Sequence, residues 1–180
     1  MASIGHLAVG LCLGRYLLPA VSPMRNRLGM GILAALALLP DADVIGFALR
    51  IPYAAPWGHR GASHSLALGV LAGLVFGMIL GRFWPSRIRT TLAATLAVVS
   101  HGLLDTLTDG GLGVALFWPY LGKRFFAPVR PIPVAPIGLG LLSDHGIQVI
   151  LTETLYVLPL LLLALRPRRQ PSTTSIRAQT

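Results

Sequence analysis

Residues 98–110 read VVSHGLLDTLTDG, which places one histidine and two aspartates at the end of a hydrophobic run. The chain of 180 residues contains only six acidic residues and five histidines, so this stretch holds a large share of them. His101 and Asp105 are four residues apart, which puts them on one face of a helix, one turn from each other. An imidazole and a carboxylate at this spacing can bind one metal ion, although the spacing also arises by chance or for a local hydrogen bond.

The composition indicates that this run belongs to a membrane protein. Apolar residues make up 54% of the chain and charged residues 12%, which is about half the usual share of charge in soluble domains. Five runs approach or reach the roughly 20 residues that a membrane-spanning helix needs. They are about residues 4–20, 28–49, 64–81, 91–107 and 146–165. We therefore predict an all-α fold, a polytopic membrane helix bundle of about five helices with a proline-rich outer loop.

The basic residues predict the orientation of these helices. The net charge is +9, but the basic residues fall mostly between apolar runs, which is typical of membrane topology, so no nucleic-acid partner is expected. Five crossings, with the amino terminus outside and the carboxyl terminus inside, place three basic clusters inside. These clusters are Arg25 and Arg27; Arg82, Arg87 and Arg89; and Arg166, Arg168 and Arg169. Lys123, Arg124 and Arg130 then lie outside, in a longer loop where the rule is weaker.

In this topology the acids and histidines share the outer half of the membrane. The helical rise puts Asp43 about 24 Å from Arg27, and Asp105 about 24 Å from Arg89. A carboxylate in hydrocarbon costs at least about 2.5 kcal/mol, so several at one depth should be paired, hydrated or bound to a cation. A polar helix end explains any one of these residues, but the opposite helix ends carry arginines and no carboxylates.

Two further motifs bring side chains to the same level. LLPDAD places Asp41 and Asp43 directly after a proline that breaks or kinks the second helix. HRGASHS places His59, Arg60 and His64 just before the third helix, and the Arg60 guanidinium suits a phosphate or carboxylate. The alternatives are an ordinary polar helix end for the aspartates and a lipid headgroup contact for Arg60.

The remaining polar residues near the helix ends have less specific signals. His6 opens the first helix and is either an interfacial histidine or a metal ligand. Asp109 continues the stripe of His101 and Asp105 if that helix persists, although the glycines that follow it favour a helix end. Glu153 lies inside the fifth run among apolar residues and is a candidate additional site residue.

Two segments fall outside the apolar runs. Residues 114–138 contain five prolines with aromatic and basic residues, which is too broken for a spanning helix. We predict that they form an outer cap or re-entrant segment over the site, although membrane anchoring alone would explain them equally well. Residues 166–180 are polar and basic, and we predict a disordered cytoplasmic tail after a membrane-embedded domain at residues 1–165. The single cysteine, Cys12, excludes an internal disulfide and a cysteine-rich zinc cluster.

Together these motifs resemble a known family. His6, LLPDAD, HRGASHS, SHGLLD with TDG, and FWPY with its basic pair occur in the order found in the YdjM-like inner-membrane proteins, to which metal-dependent hydrolase activity is ascribed. The resemblance covers residues 1–165. One departure is Ser63 in place of the family's usual threonine, which keeps the hydroxyl. The resemblance implies a multi-pass protein of the bacterial inner membrane.

More remotely, that family is similar to the zinc-dependent phospholipase C and S1–P1 nuclease group, whose helical enzymes hold metal with histidines and aspartates. This likeness implies a set of metal ligands: His6, Asp43, His64, His101 and Asp105. His59 of the HRGASHS motif is a further candidate ligand. The group's later histidine-and-glutamate helix has no clean match, since His145 and Glu153 are not spaced as HxxxE.

The resulting hypothesis is a hydrolase with one or two divalent ions at the outer face, with zinc favoured and manganese or magnesium as alternatives. Asp41 or Asp109 would hold or deprotonate the attacking water, and Arg60 would neutralise charge on the substrate. The expected partners are membrane lipid and a phosphoester, such as a phospholipid. The competing classes are an ion or metal transporter and a non-catalytic membrane scaffold. A transport pathway must reach both sides, yet the inner half carries no ionisable residues except arginines.

Overall fold

The computed structural model describes residues 3–166, and five long helices form most of this part. They are α1 (Ile4–Tyr16), α2 (Pro23–Leu38), α4 (Leu66–Leu80), α5 (Arg87–Asp105) and α6 (Asp144–Leu165), with a short helix α3 (Ile45–Ala48). Three 3-10 turns lie at Leu39–Val44, Ala62–His64 and Gly138–Leu142. Each of the five predicted runs overlaps one long helix, so the all-α prediction is confirmed. Apart from Arg166, the predicted tail lies outside the described residues.

Serine side chains determine where four of these helices begin. The hydroxyl of each serine accepts a hydrogen bond from the backbone N–H three residues later, which satisfies an amide that has no partner inside the helix. This capping starts α5 at Arg87 and α6 at Asp144, a few residues before the apolar runs themselves begin. The capping serines are Ser22, Ser65, Ser86 and Ser143.

Glycines on α4 bring this helix very close to α5. A Cβ atom at Gly73 would lie 2.3 Å from the Thr95 Cα, and one at Gly77 would lie 2.5 Å from the Thr91 Cα. Small residues four apart permit this backbone approach between membrane helices. On its other side α5 packs against α2 and α1, and α1 packs against α6.

The basic residues at the helix junctions lie together at one end of the molecule. Arg25 at the start of α2 donates to the Phe83 carbonyl beyond α4, and Arg89 near the start of α5 donates to the Tyr16 carbonyl at 3.5 Å. The Tyr16 hydroxyl donates to the Leu163 carbonyl of α6 at 3.1 Å. This basic end, defined by the junctions α1–α2 and α4–α5 and the end of α6, lies opposite the three polar motifs.

Two described segments are long and apolar enough to cross a membrane. They are Pro23–Ala48, with 26 residues, and Asp144–Leu165, with 22. Helices α1 and α4 have 13 and 15 residues, which correspond to about 20 and 22 Å against a hydrocarbon thickness of about 30 Å. Length and composition therefore support two of the predicted crossings, since α1 ends at Tyr16 and α5 begins with Arg87, and the full set of five stays a prediction.

Candidate metal centre

Three of the segments that meet at the end opposite the basic end carry the predicted motifs. Pro40 lies at the start of the 3-10 turn Leu39–Val44, which carries Asp41 and Asp43. The turn Ala62–His64 presents His64 just before α4. A Cβ atom at Gly102 would lie 2.2 Å from the His64 carbonyl oxygen, so the glycine of SHGLLD lets α5 touch this turn. The last turns of α5 carry His101 and Asp105 to the same place.

Four side chains form what we call the first donor group: Asp41, His64, His101 and Asp105. One nitrogen or oxygen atom of each lies within 4.8 Å of the corresponding atoms of the other three. The His101 Nε2 atom is 3.1 Å from the His64 Nε2 atom and 3.3 Å from the Asp41 Oδ1 atom. His64 Nε2 is 3.5 Å from Asp105 Oδ2. His64, His101 and Asp105 are buried, while the Asp41 side chain is 26% exposed.

The outer nitrogen of each imidazole lies beside an oxygen atom that accepts hydrogen bonds. His101 Nδ1 lies 2.7 Å from the Ala37 carbonyl oxygen, and His64 Nδ1 lies 3.1 Å from the Asp43 Oδ2 atom. Each Nδ1 atom can therefore donate to its acceptor, and this orientation of the rings turns both Nε2 atoms toward the other donors. Two imidazole nitrogens and two carboxylate oxygens in one space form a set of donors that could hold a metal ion.

A second donor group consists of Asp43, His59 and His64. His59 Nδ1 lies 2.7 Å from Asp43 Oδ1. The Ser63 hydroxyl donates to Asp43 Oδ2 at 2.5 Å, and the Arg60 backbone N–H donates to the same oxygen at 3.2 Å. Asp43 thus fixes the orientation of both histidines, which is how carboxylates beside metal-bound imidazoles act.

Asp105 is also contacted from two other sides. Arg60 Nε lies 3.1 Å from Asp105 Oδ2, and His6 Nε2 lies 3.4 Å from Asp105 Oδ1. The His6 ring stacks on the His101 ring at 3.7 Å between centroids and 13° between planes. His6 is fully buried, and its Nδ1 atom has no hydrogen-bond partner among the described residues. Buried polar atoms of this kind commonly mark the place of an ion or water.

The Arg60 guanidinium donates hydrogen bonds to Thr108 and Gly110 in addition to its contact with Asp105. Its Nη1 atom donates to the Thr108 hydroxyl at 2.8 Å and to the Gly110 carbonyl at 3.2 Å. Arg60 also has a left-handed backbone with φ of 60°, a strained conformation for a residue with a side chain, which is often found at functional sites. A contact of Arg60 with substrate stays a prediction.

A polar cavity of 250 Å³ opens beside these residues. Asp41, His59, Arg60 and Asp105 line one part of it, and Pro136 and other residues at the end of the proline-rich loop line another part. Part of that loop therefore lies over the donor groups, in the place predicted for an outer cap.

The comparison with known proteins agrees with this set of motifs. The family described as YdjM inner membrane protein matches residues 1–170. The chain belongs to this family. It is 43% identical over 157 residues to the inner membrane protein YbcI of Escherichia coli (strain K12), covering 86% of this chain and 88% of that protein. No solved structure matches it. The predicted resemblance and the inner-membrane class are therefore confirmed.

Two predicted site residues of this YdjM family member, Asp109 and Glu153, lie apart from both donor groups, as does His145. Helix α5 ends at Asp105, so Asp109 does not continue its stripe. Asp109 is exposed, and its Oδ1 atom accepts a hydrogen bond from the Val134 N–H at 2.8 Å. Glu153 is buried and accepts from the Gly5 N–H at 2.6 Å, which joins α6 to the start of α1. His145 is exposed at the start of α6.

Sequence reasoning missed the role of Arg124. Its Nη1 atom donates to the His59 carbonyl at 2.9 Å and the Gly113 carbonyl at 3.3 Å. Its Nη2 atom donates to the carbonyls of Tyr53 and Ala55 at 2.8 and 3.2 Å. Partial burial lowers the pKa of this guanidinium from its ordinary value. The only sequence signal was a basic residue on the side where the positive-inside rule does not expect it.

Replacing Gly102 with alanine tests the close approach of α5 to the turn that carries His64. The new methyl group would overlap the His64 carbonyl, so we expect a loss of about 1–3 kcal/mol of stability and weaker metal binding. Thermal unfolding and zinc titration measure the two effects. Gly31→Ala is the matched control, because Gly31 lies in α2 with no atom within 4 Å of its would-be Cβ. Equal behaviour of the two variants would contradict the close approach.

Replacing Arg124 with glutamine tests whether it positions the HRGASHS segment. Four carbonyl groups lose a charged donor, and we expect about a tenfold loss of metal affinity, as for other groups that support ligands indirectly. Zinc titration of the purified protein measures the change. The control is Lys123→Gln at the exposed neighbouring position, which removes the same charge. Wild-type zinc affinity in Arg124→Gln would show that the hydrogen bonds from Arg124 do not position the site.

Proposed function

We propose that this YdjM family member is a membrane-embedded, metal-dependent hydrolase that cleaves a phosphoester, such as a phospholipid. The observation that carries the proposal is the pair of Nε2 atoms of His64 and His101, which face each other at 3.1 Å with a carboxylate on either side. Their Nδ1 atoms are already engaged with acceptors, so a cation between the Nε2 atoms satisfies the whole set.

The donor chemistry fits a divalent metal with zinc favoured. Three buried residues, His64, His101 and Asp105, would hold the ion, and His6 would support Asp105 or add a nitrogen ligand. Catalytic zinc sites combine three protein ligands with one open position, and Asp41, which is partly exposed, lies on the open side. When bound, such an ion lowers the pKa of a water and polarises a phosphoryl oxygen.

The chain's own residues would perform the remaining steps. Asp41 lines the polar cavity, where its carboxylate can accept a proton from the attacking water. Asp43 keeps His64 in the tautomer that presents Nε2 to the centre. Arg60 holds Asp105 in place, and its positive charge at the cavity wall favours an anionic phosphoester.

A membrane setting places this cavity at the level of lipid headgroups. We propose that the five long helices span the inner membrane with the basic end inside, which puts the donor groups in the outer half. The support is the separation of the basic end, which carries Arg25 and Arg89, from the carboxylates of the donor groups, together with the two segments that are long and apolar enough to span. A phospholipid would then present its phosphoester beside Asp41 and Arg60.

The proposal is tested by metal analysis of the purified protein, followed by assays with bis(p-nitrophenyl) phosphate and with phospholipid in mixed micelles. We expect one divalent ion per chain, loss of hydrolysis on chelation and its return on adding zinc. Stoichiometric metal without hydrolysis of any phosphoester would contradict the hydrolase and favour a transporter. A protein that holds no stoichiometric metal would contradict both and favour a scaffold.

A further inference from the structure

An apolar groove of 320 Å³ begins beside the donor groups and follows the surface of α4. Ser63 is the only polar residue among those that line it. The lining includes Leu39 and Pro40 after α2, and Leu68, Ala72 and Phe76 of α4. Its volume falls within the range of pockets that bind small ligands, about 300–1,000 Å³.

The groove and the polar cavity lie on the same short segment of chain. Pro40 lines the groove, and its neighbour Asp41 lines the polar cavity. Ser63 lines the groove as well, while its hydroxyl donates to Asp43 Oδ2 and lies 3.0 Å from His64 Nδ1. One end of the groove is therefore a single layer of side chains away from the candidate metal centre.

The direction of the groove matches that of a lipid chain. Helix α4 begins at the site and ends beside the arginines, and Leu68 and Phe76 are separated by about 12 Å of helical rise. The groove thus extends from the level of the site toward the opposite end of the molecule. Leu71 and Val75, which also line it, are 57% and 43% exposed, so its open side faces the surroundings of the helix.

The apolar lining determines which class of ligand the groove can bind. A sugar, nucleotide or peptide would bury hydrogen-bonding groups against residues that offer no partner except the Ser63 hydroxyl, which is costly. A hydrocarbon chain has no hydrogen-bonding groups, so it loses no hydrogen bonds when it enters such a groove. We infer that the groove binds one acyl chain of a membrane lipid whose phosphate group reaches the polar cavity. This inference rests on the proposed function, and it identifies the substrate of the hydrolase as an acylated phosphoester.

Lipid binding can be measured without any hydrolysis. The full-length protein, treated with chelator and placed in nanodiscs, is exposed to phosphatidylglycerol that carries a diazirine in one acyl chain, and cross-links are located by mass spectrometry. We expect saturable labelling of peptides that line the groove, with competition by unlabelled phosphatidylglycerol. Glycerophosphoglycerol, which has the headgroup and no acyl chains, should not compete.

Substitutions on α4 separate the groove from the general lipid-facing surface. Ala72→Phe fills the groove and should reduce the saturable labelling by about tenfold or more, with Ala72→Leu intermediate. Leu74→Phe is the matched control, because Leu74 is 42% exposed on the same helix and does not line the groove. Circular dichroism of each variant shows whether it folds. Ala72→Phe should also slow hydrolysis of phospholipid more than that of bis(p-nitrophenyl) phosphate.

The outcomes distinguish this inference from the proposed hydrolase. Labelling that never saturates, or that falls equally in Ala72→Phe and Leu74→Phe, would overturn the acyl-chain site. Saturable labelling in a protein that hydrolyses neither test phosphoester would uphold lipid binding in the groove while overturning the hydrolase. Hydrolysis of bis(p-nitrophenyl) phosphate with no saturable labelling would uphold the hydrolase while overturning acyl-chain binding in the groove.

Discussion

Asp105→Asn is expected to remove bound metal from the purified protein and to abolish phosphoester hydrolysis. The carboxylate is buried and lies within 3.5 Å of Arg60, His6 and His64 atoms, so it is both a charged ligand and the ionic partner of a buried guanidinium. Supporting groups beside a metal typically contribute 10–100-fold in affinity, and we expect a ligand to contribute more than about 100-fold. Metal content by mass spectrometry and zinc titration measure this loss.

The matched control is Asp109→Asn, the same chemical change four residues further along the sequence. Asp109 is exposed and belongs to neither donor group, so this variant should keep its metal. Breaking the buried pair of Asp105 with Arg60 should also cost about 3–5 kcal/mol of stability, which thermal unfolding with and without zinc separates from metal loss. Metal content in Asp105→Asn equal to that of the wild type would show that Asp105 is not a metal ligand.

His64→Ala is expected to have an effect as large as that of Asp105→Asn, because His64 belongs to both donor groups. Its Nε2 atom faces Asp41 and Asp105, and its Nδ1 atom faces Asp43. Removing the ring breaks the link between the two groups and leaves His101 as the one imidazole of the first group. We expect zinc affinity to fall more than about 100-fold, measured by competition with a chelating dye.

His145→Ala is the control for this change, since His145 is exposed at the start of α6 and far along the chain from the motifs. It should bind zinc as the wild type does. A His64→Ala protein that keeps its metal would show that His64 is not a ligand. In that case a doubly protonated His64 would account for its contacts with three carboxylates, Asp41, Asp43 and Asp105.

Hydrophobic runs were enough to predict the five long helices, because burial in hydrocarbon or in a helical core selects uninterrupted apolar sequence. The hydrophobic runs did not predict the residues at which the helices begin and end. Ser86 and Ser143 start α5 and α6 earlier than the runs suggest, since a capped first turn can include polar residues such as Arg87 and Asp144. Run length did not give helix length either, because α1 ends at Tyr16 although its run continues to residue 20.

The depth of the acids and histidines predicted which end of the molecule holds the site, since helical rise is nearly constant. It did not predict which atoms meet. Asp41 enters the first donor group, while Asp43 bridges two histidines, although the two aspartates look equivalent in LLPDAD. The difference depends on the contact of α5 with the His64 turn, and Gly102 permits that contact at a distance no spacing rule specifies.

X-ray absorption at the zinc edge of the reconstituted protein examines the ligand set itself. We expect a first shell of imidazole nitrogens and carboxylate oxygens at about 2.0–2.2 Å, with imidazole scattering that weakens in His64→Ala. A spectrum without imidazole, a shell that contains the Cys12 sulfur at about 2.3 Å, or a protein that takes up no zinc would contradict a metal centre built from His64, His101 and Asp105.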